Sequence, residues 1–155
     1  MKTVIVSVDG SDASRAAVQW CADNLGPNDR VLAIGGLSPV GEFVLEFPGF
    51  DGTSPKQLRE IFRRRWCTPL DRAGLRWEPS FLDQRQGVAL AQVIEHESPD
   101  LVVVGQPEHL GIDLLVHGQV QHVLRRAACP VLLVPATYSL RDTPPLCGHA
   151  MEDAP

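Results

Sequence analysis

No apolar run of this 155-residue chain approaches the roughly 20 residues needed to cross a bilayer. The opening Met1-Lys2-Thr3-Val4-Ile5-Val6-Ser7-Val8-Asp9-Gly10 holds too short an apolar stretch for a signal peptide, and no cleavage site follows. A cytoplasmic protein without a membrane partner is expected. Cysteine is scarce: Cys21, Cys67, Cys129 and Cys147 are scattered, with no CxxC pair and no cysteine–histidine cluster at zinc spacing. Four reduced thiols and no bound metal are expected, three of them among apolar neighbours and Cys147 in a polar tail. Positive charge is in deficit, with 14 Lys and Arg against 19 Asp and Glu and a formal charge of −5. That balance argues against coating nucleic acid or an anionic membrane by bulk electrostatics.

Familiar catalytic loops are missing too. There is no GxxxxGK[ST] phosphate loop, no GxSxG elbow and no GxGxxG fingerprint. Ser7-Val8-Asp9-Gly10-Ser11-Asp12 lacks the paired glycines of an SGGxDS pyrophosphatase loop, and Asp9 and Asp12 do not make a phosphatase DxD. The expectation is a protein that is not an enzyme; an enzyme using adenine nucleotides is kept as the weaker alternative, resting on fold analogy.

What is present is one domain's length of globular composition, 44% hydrophobic and 21% charged. Thr3–Val8, Arg30–Gly35, Asp100–Gly105 and Pro130–Pro135 are short, nearly continuous apolar runs, which suit strands buried on both faces. Leu75–Phe81 alternates and carries Pro79, the mark of an edge strand. Helical patterns fall between them. Ser11 caps the first, with Ala13, Ala16, Ala17, Trp20 and Cys21 in one stripe, and Leu25-Gly26-Pro27 stops it. A second starts at Ser54-Pro55 with Leu58, Ile61, Phe62, Trp66 and Leu70 on one face, and Pro69 is expected to kink it or end it early. A third spans about 87–97. A fourth spans about 117–128, with Val120, Val123, Leu124, Ala127 and Ala128 facing inward. Strict β–α alternation implies an α/β fold, a mostly parallel sheet with helices on both faces. One domain over 1–136 is expected, followed by a disordered tail over 137–155. The proline- and glycine-rich loop 38–53 is long enough to be functional or interfacial.

In an open parallel sheet, ligands sit beyond the carboxyl ends of the strands, where strand order reverses. Two segments supply that place: Val8-Asp9-Gly10-Ser11-Asp12, and the loop Gly105-Gln106-Pro107-Glu108-His109-Leu110-Gly111 leading through Gly118 into the last helix. Gly36, Leu37 and Val104, at strand ends, would wall the pocket for a base, or else are ordinary core. The opening Val8-Asp9-Gly10-Ser11-x-x-Ser14, the strand Asp100–Gly105 and the ending Gly118-Gln119-Val120-x-x-x-Val123-Leu124-x-x-Ala127-x-Cys129-Pro130-Val131-Leu132-Leu133-Val134 stand in a telling order. With these pieces, residues 1–135 resemble a universal stress protein domain of the UspA type. The resemblance implies a flavodoxin-like, adenine-nucleotide-binding sheet of five parallel strands in the order 3-2-1-4-5, and a cytoplasmic stress-response role with unnamed protein partners.

ATP-binding members of that family carry G-x2-G-x9-G-[ST] after strand four. Gly105 and Gly118 match its first and third glycines, but Glu108 stands at the second and Gln119 at the Ser/Thr position. A carboxylate 4 Å from a phosphate repels it by about 1 kcal/mol per charge pair in water and by roughly 4 when partly buried. Gln119 is a longer, more flexible donor than serine. Weak or absent ATP binding is therefore expected, with AMP less affected; a functional ATP- or AMP-binding signalling protein is the alternative, ahead of an enzyme. In the family the aspartate matching Asp9 lies near the adenosine; here Asp9 also suits the Gly10 turn or a cap on the first helix, and both readings stand. The last strand commonly pairs with its equivalent in a second chain. That implies a homodimer through Val131–Val134, unless the tail covers this apolar edge. Seven of the 14 basic residues lie between Lys56 and Arg76. No stacking aromatics interleave with them, so they read as a solvated helix face, and no nucleic-acid partner is expected.

Overall fold

A computed structural model describes residues 1–36, 55–82, 86–106 and 119–140. The 38–53 loop and Cys147 lie outside the described residues. The elements are β1 (Thr3–Ser7), α1 (Asp12–Asn24), β2 (Arg30–Gly36), α2 (Pro55–Trp66), α3 (Thr68–Arg72), β3 (Arg76–Leu82), α4 (Gln86–Glu97), β4 (Leu101–Gly105), α5 (Gln119–Arg126) and β5 (Val131–Val134). A 3-10 turn over Ala136–Leu140 follows. All strand pairs are parallel and the sheet order is β3-β2-β1-β4-β5, the order the resemblance implies.

Alternate residues of each strand feed two cores, which is why the strand runs are apolar without a break. On one face Val4, Val6, Val31, Ala33 and Val103 pack with Ala16 and Ala17 of α1, Phe62 and Trp66 of α2, and Leu70 of α3. On the other, Ile5, Leu32, Ile34, Val102 and Val104 pack with Leu90 and Ile94 of α4 and Val123 of α5. β3 forms one edge, as Pro79 predicts, and its register on β2 runs unbroken through Ala33↔Pro79. That continuity puts the missing N–H on the outer side, where no ladder bond needs it.

Three expectations need correction. The helix expected through Leu70 is two. α2 ends at Trp66, and α3 starts after Cys67 with Pro69 in its first turn, where proline's lack of an N–H costs no bond. Leu124 and Ala128 do not face inward. Leu124 is 54% exposed, because Val123 is the residue that α5 turns fully into the core among its described side chains, with Ala127 half-buried beside it. Ala128 lies beyond the helix end and is exposed. Nor is the tail disordered from its first residue. Residues 136–140 fold back on α1, where the Tyr138 hydroxyl donates to Asp23 Oδ2 at 3.0 Å. Cys21 and Cys67 are core residues whose thiols are pushed up by burial, so they are unreactive small hydrophobes. Among the described residues no helix is long and apolar enough to cross a membrane, and no His, Cys, Asp and Glu cluster could hold a metal ion.

Candidate functional site

β1 lies between β2 and β4, so strand order reverses at the carboxyl ends of β1 and β4. Beyond β1 the chain must turn at once into α1. Gly10 makes that turn at a φ of 85°, a left-handed conformation suited to glycine. Asp9 folds over it: its Oδ1 accepts from the Ser11 N–H at 2.9 Å and the Ser11 hydroxyl at 2.6 Å. Ser11 is the N-cap of α1, and its Oγ accepts from the Ser14 N–H at 3.1 Å. Ser14, buried, returns its own hydroxyl to the Ser11 carbonyl at 2.9 Å. One carboxylate oxygen of Asp9 thus builds the turn, and among the described residues no donor engages the other. Both readings of Asp9 remain compatible, since the bonds of the turn engage one of its two oxygens. Ser11→Ala is expected to lower stability by about 1 kcal/mol and Ser11→Gly by only a few tenths, as urea titration will show.

Gly105, at the end of β4, meets this turn from the other strand. A Cβ placed on it would lie 2.5 Å from the Ala13 carbonyl carbon, 2.6 Å from the Ser14 nitrogen and 2.7 Å from the Ala13 oxygen. The first turn of α1 therefore rests on bare backbone. Sequence reasoning assigned this glycine to phosphate approach and missed its packing role.

The structure brings together Asp9, Gly10, Ser11 and Gly105. Val104 is 3% exposed and packs in the core beneath α4 and α5. Gln119 and Val120 are the first two residues of α5, described by their backbone. Leu37, Glu108 and Gly118 lie outside the described residues. A cavity of about 520 Å³ opens elsewhere, between β2, β3 and α4, lined by Arg30, Ile34, Glu78, Gln92, His96 and Glu97 among others. Nothing in the sequence flagged it. Its Arg30 bonds Glu97 at 3.0 Å and Glu78 at 3.4 Å, so two carboxylates face one guanidinium and a phosphate gains nothing there.

The comparison that decides the family covers the whole of this framework: residues 1–135 match the family model of the Universal stress protein family. The chain belongs to the universal stress protein family. No curated protein matches it by sequence. Among solved structures, a universal stress protein in complex with cAMP shares 21% identity with it, at a TM-score of 0.62 over 87% of this chain and 97% of that one. A family member from Arabidopsis thaliana with AMP bound shares 14% at a TM-score of 0.60, over 87% of this chain and 92% of that one. The Archaeoglobus fulgidus universal stress protein in complex with dAMP shares 18% at a TM-score of 0.53, over 86% and 97%. At these identities the likeness shows the universal stress protein fold.

Proposed function

We propose that this chain is a non-enzymatic, cytoplasmic universal stress module whose nucleotide pocket is degenerate, with weak or no affinity for ATP. One observation carries the reading: the phosphate-cradling motif stands as Gly105-x2-Glu108-x9-Gly118-Gln119, with a carboxylate where backbone must approach a polyphosphate. The close seat of α1 on Gly105 supports it, because the glycine retained at the first position has a packing reason to persist.

A second reading is favoured by the solved relatives. Those named above hold cAMP, AMP and dAMP, each with a single phosphate. A monophosphate meets Glu108 with fewer charge pairs than a triphosphate does, so AMP is the nucleotide this pocket would keep. Calorimetry with ATP and AMP on wild type and Glu108→Gly tests both readings. Wild type is expected to give no ATP heat at micromolar concentrations, and Glu108→Gly to gain about tenfold or more in ATP affinity, which is about 1.4 kcal/mol. Micromolar ATP binding by wild type sinks the charge argument.

The same module is proposed to pair with a second copy through β5. Val131, Leu132 and Leu133 are only half-buried on an edge strand, Leu124 is exposed on the preceding helix, and residues 136–140 lie against α1. Sedimentation of a dimer at micromolar concentration, reverting to monomer in Leu132→Lys, is the expected outcome; a wild-type monomer counts against pairing.

A further inference from the structure

The charge of this chain is divided unevenly, and the fold gathers one share onto a single surface. From Lys56 to Arg76 there are seven basic residues against two acidic ones, a net of +5. The rest of the chain holds seven basic against 17 acidic residues, a net of −10. α2 sinks Phe62 and Trp66 into the core and so turns Lys56, Glu60, Arg63, Arg64 and Arg65 to solvent. Arg72, at the end of α3, and Arg76, at the start of β3, are exposed as well.

Side-chain contacts tie the exposed face of α2 to α3 and β3. Asp71 accepts from Arg63 at 3.1 and 3.3 Å and from the Trp77 indole N–H at 2.8 Å. The Arg63 guanidinium lies 5.6 Å from the centre of the Trp77 ring. Arg64 donates to Glu60 at 2.7 Å. Both carboxylates of the segment are therefore engaged by its own arginines, and by sequence the segment carries five more basic than acidic residues. A cleft of about 210 Å³ opens within the patch, between Lys56, Glu60, Arg63, Trp77 and Pro79.

We propose that this surface docks a short acidic peptide segment of a partner protein, seated along α2 and the cleft over Trp77. Charge complementarity names the occupant's sign, and two features name its class. Nucleic acid on such a patch draws on aromatic faces for stacking. Here Trp66 is 2% exposed, and the Trp77 ring is covered by Arg63 with its N–H given to Asp71. The patch is also short. The 12 residues of α2 span about 18 Å. An occupant of that length is roughly six extended residues. Nothing in this inference depends on the nucleotide pocket.

The test is fluorescence anisotropy of the full chain with labelled octaglutamate and, separately, labelled octauridylate. Octaglutamate is expected to bind at about 20 mM salt and to weaken at least about tenfold at about 300 mM. Arg64→Glu/Arg65→Glu/Arg72→Glu should lose about tenfold or more. Lys2→Glu/Arg15→Glu/Arg125→Glu, the same change of net charge on other exposed sites, should stay within about twofold. Circular dichroism checks the fold of each triple, and Arg64→Gln/Arg65→Gln/Arg72→Gln replaces the first if it does not fold. No octaglutamate binding at low salt overturns the proposal. So does equal loss in both triples, which would reduce the effect to net charge. Tighter binding of octauridylate than of octaglutamate overturns it in favour of a nucleic-acid surface.

Discussion

Gly105→Ala is expected to lower the melting temperature by about 6–12 °C, from a loss of about 3 kcal/mol at roughly 2–4 °C per kcal/mol for a chain of this size. The added methyl would stand 2.5–2.7 Å from Ala13 and Ser14 backbone atoms, so no side chain can swing away to admit it. Either α1 lifts off the end of β4 or β4 bows, and both movements disturb buried neighbours, since Ala13, Ala16 and Ala17 are packed against the sheet. Lifting α1 also loosens the Asp9–Gly10–Ser11 turn, because its bonds end on Ser14 in the same helical turn. A thermal melt followed by circular dichroism reads the effect. A drop under about 2 °C would mean that α1 slides freely on the sheet, and the close seat would then have no energetic weight.

Phe62→Ala is expected to cost about 4 kcal/mol, the largest loss foreseen for a single substitution here. Phe62 is wholly buried, and its ring sits against Trp66 with centroids 6.4 Å apart at 50°, a tilted aromatic contact. These two rings are the anchor of α2. Ile61 packs beside them half-buried, Lys56, Glu60, Arg63, Arg64 and Arg65 are exposed, and the helix is followed at once by the break at Cys67. Removing Phe62 leaves a cavity under the helix where its buried contact with Trp66 had been. Arg64→Ala, on the exposed face of the same helix, is expected to change stability by no more than about 0.5 kcal/mol. Urea denaturation of the two variants side by side separates anchor from surface; similar midpoints would show that α2 is held by something other than its rings.

The sheet was legible because parallel strands buried on both faces have a plain signature. Val4-Ile5-Val6 and Val102-Val103-Val104 are apolar without alternation for the reason seen in the two cores, each strand serving both. The order of strands was legible from family resemblance, not from those runs. Pro79 marked its strand as an edge correctly, and Ser11 marked the start of α1 to the residue. Leu124 was misread because helical periodicity gives a stripe without saying how wide a stripe the neighbours cover; here Val123 is buried and Leu124, next to it, is exposed. Tyr138 was missed because a single aromatic after two prolines carries no period at all. Its hold on Asp23 is a tertiary contact spanning 115 positions. At the site, Asp9 and Ser11 were legible as turn and cap, since those bonds are local. Gly105 was not, because its reason lies in a helix far away in sequence.

The two edges of the sheet are chemically unequal, and this sets a limit on growth. At β3, Pro79 leaves a gap in the outward row of N–H donors, so an added strand there would lack a bond at its centre. β5 has no such gap among Val131–Val134. The sheet can therefore lengthen from one end alone. Two copies that met there about a two-fold axis would use up each other's open edge, and a third would find nowhere to join. A proline on one strand thus makes the difference between an assembly that terminates and one that polymerises.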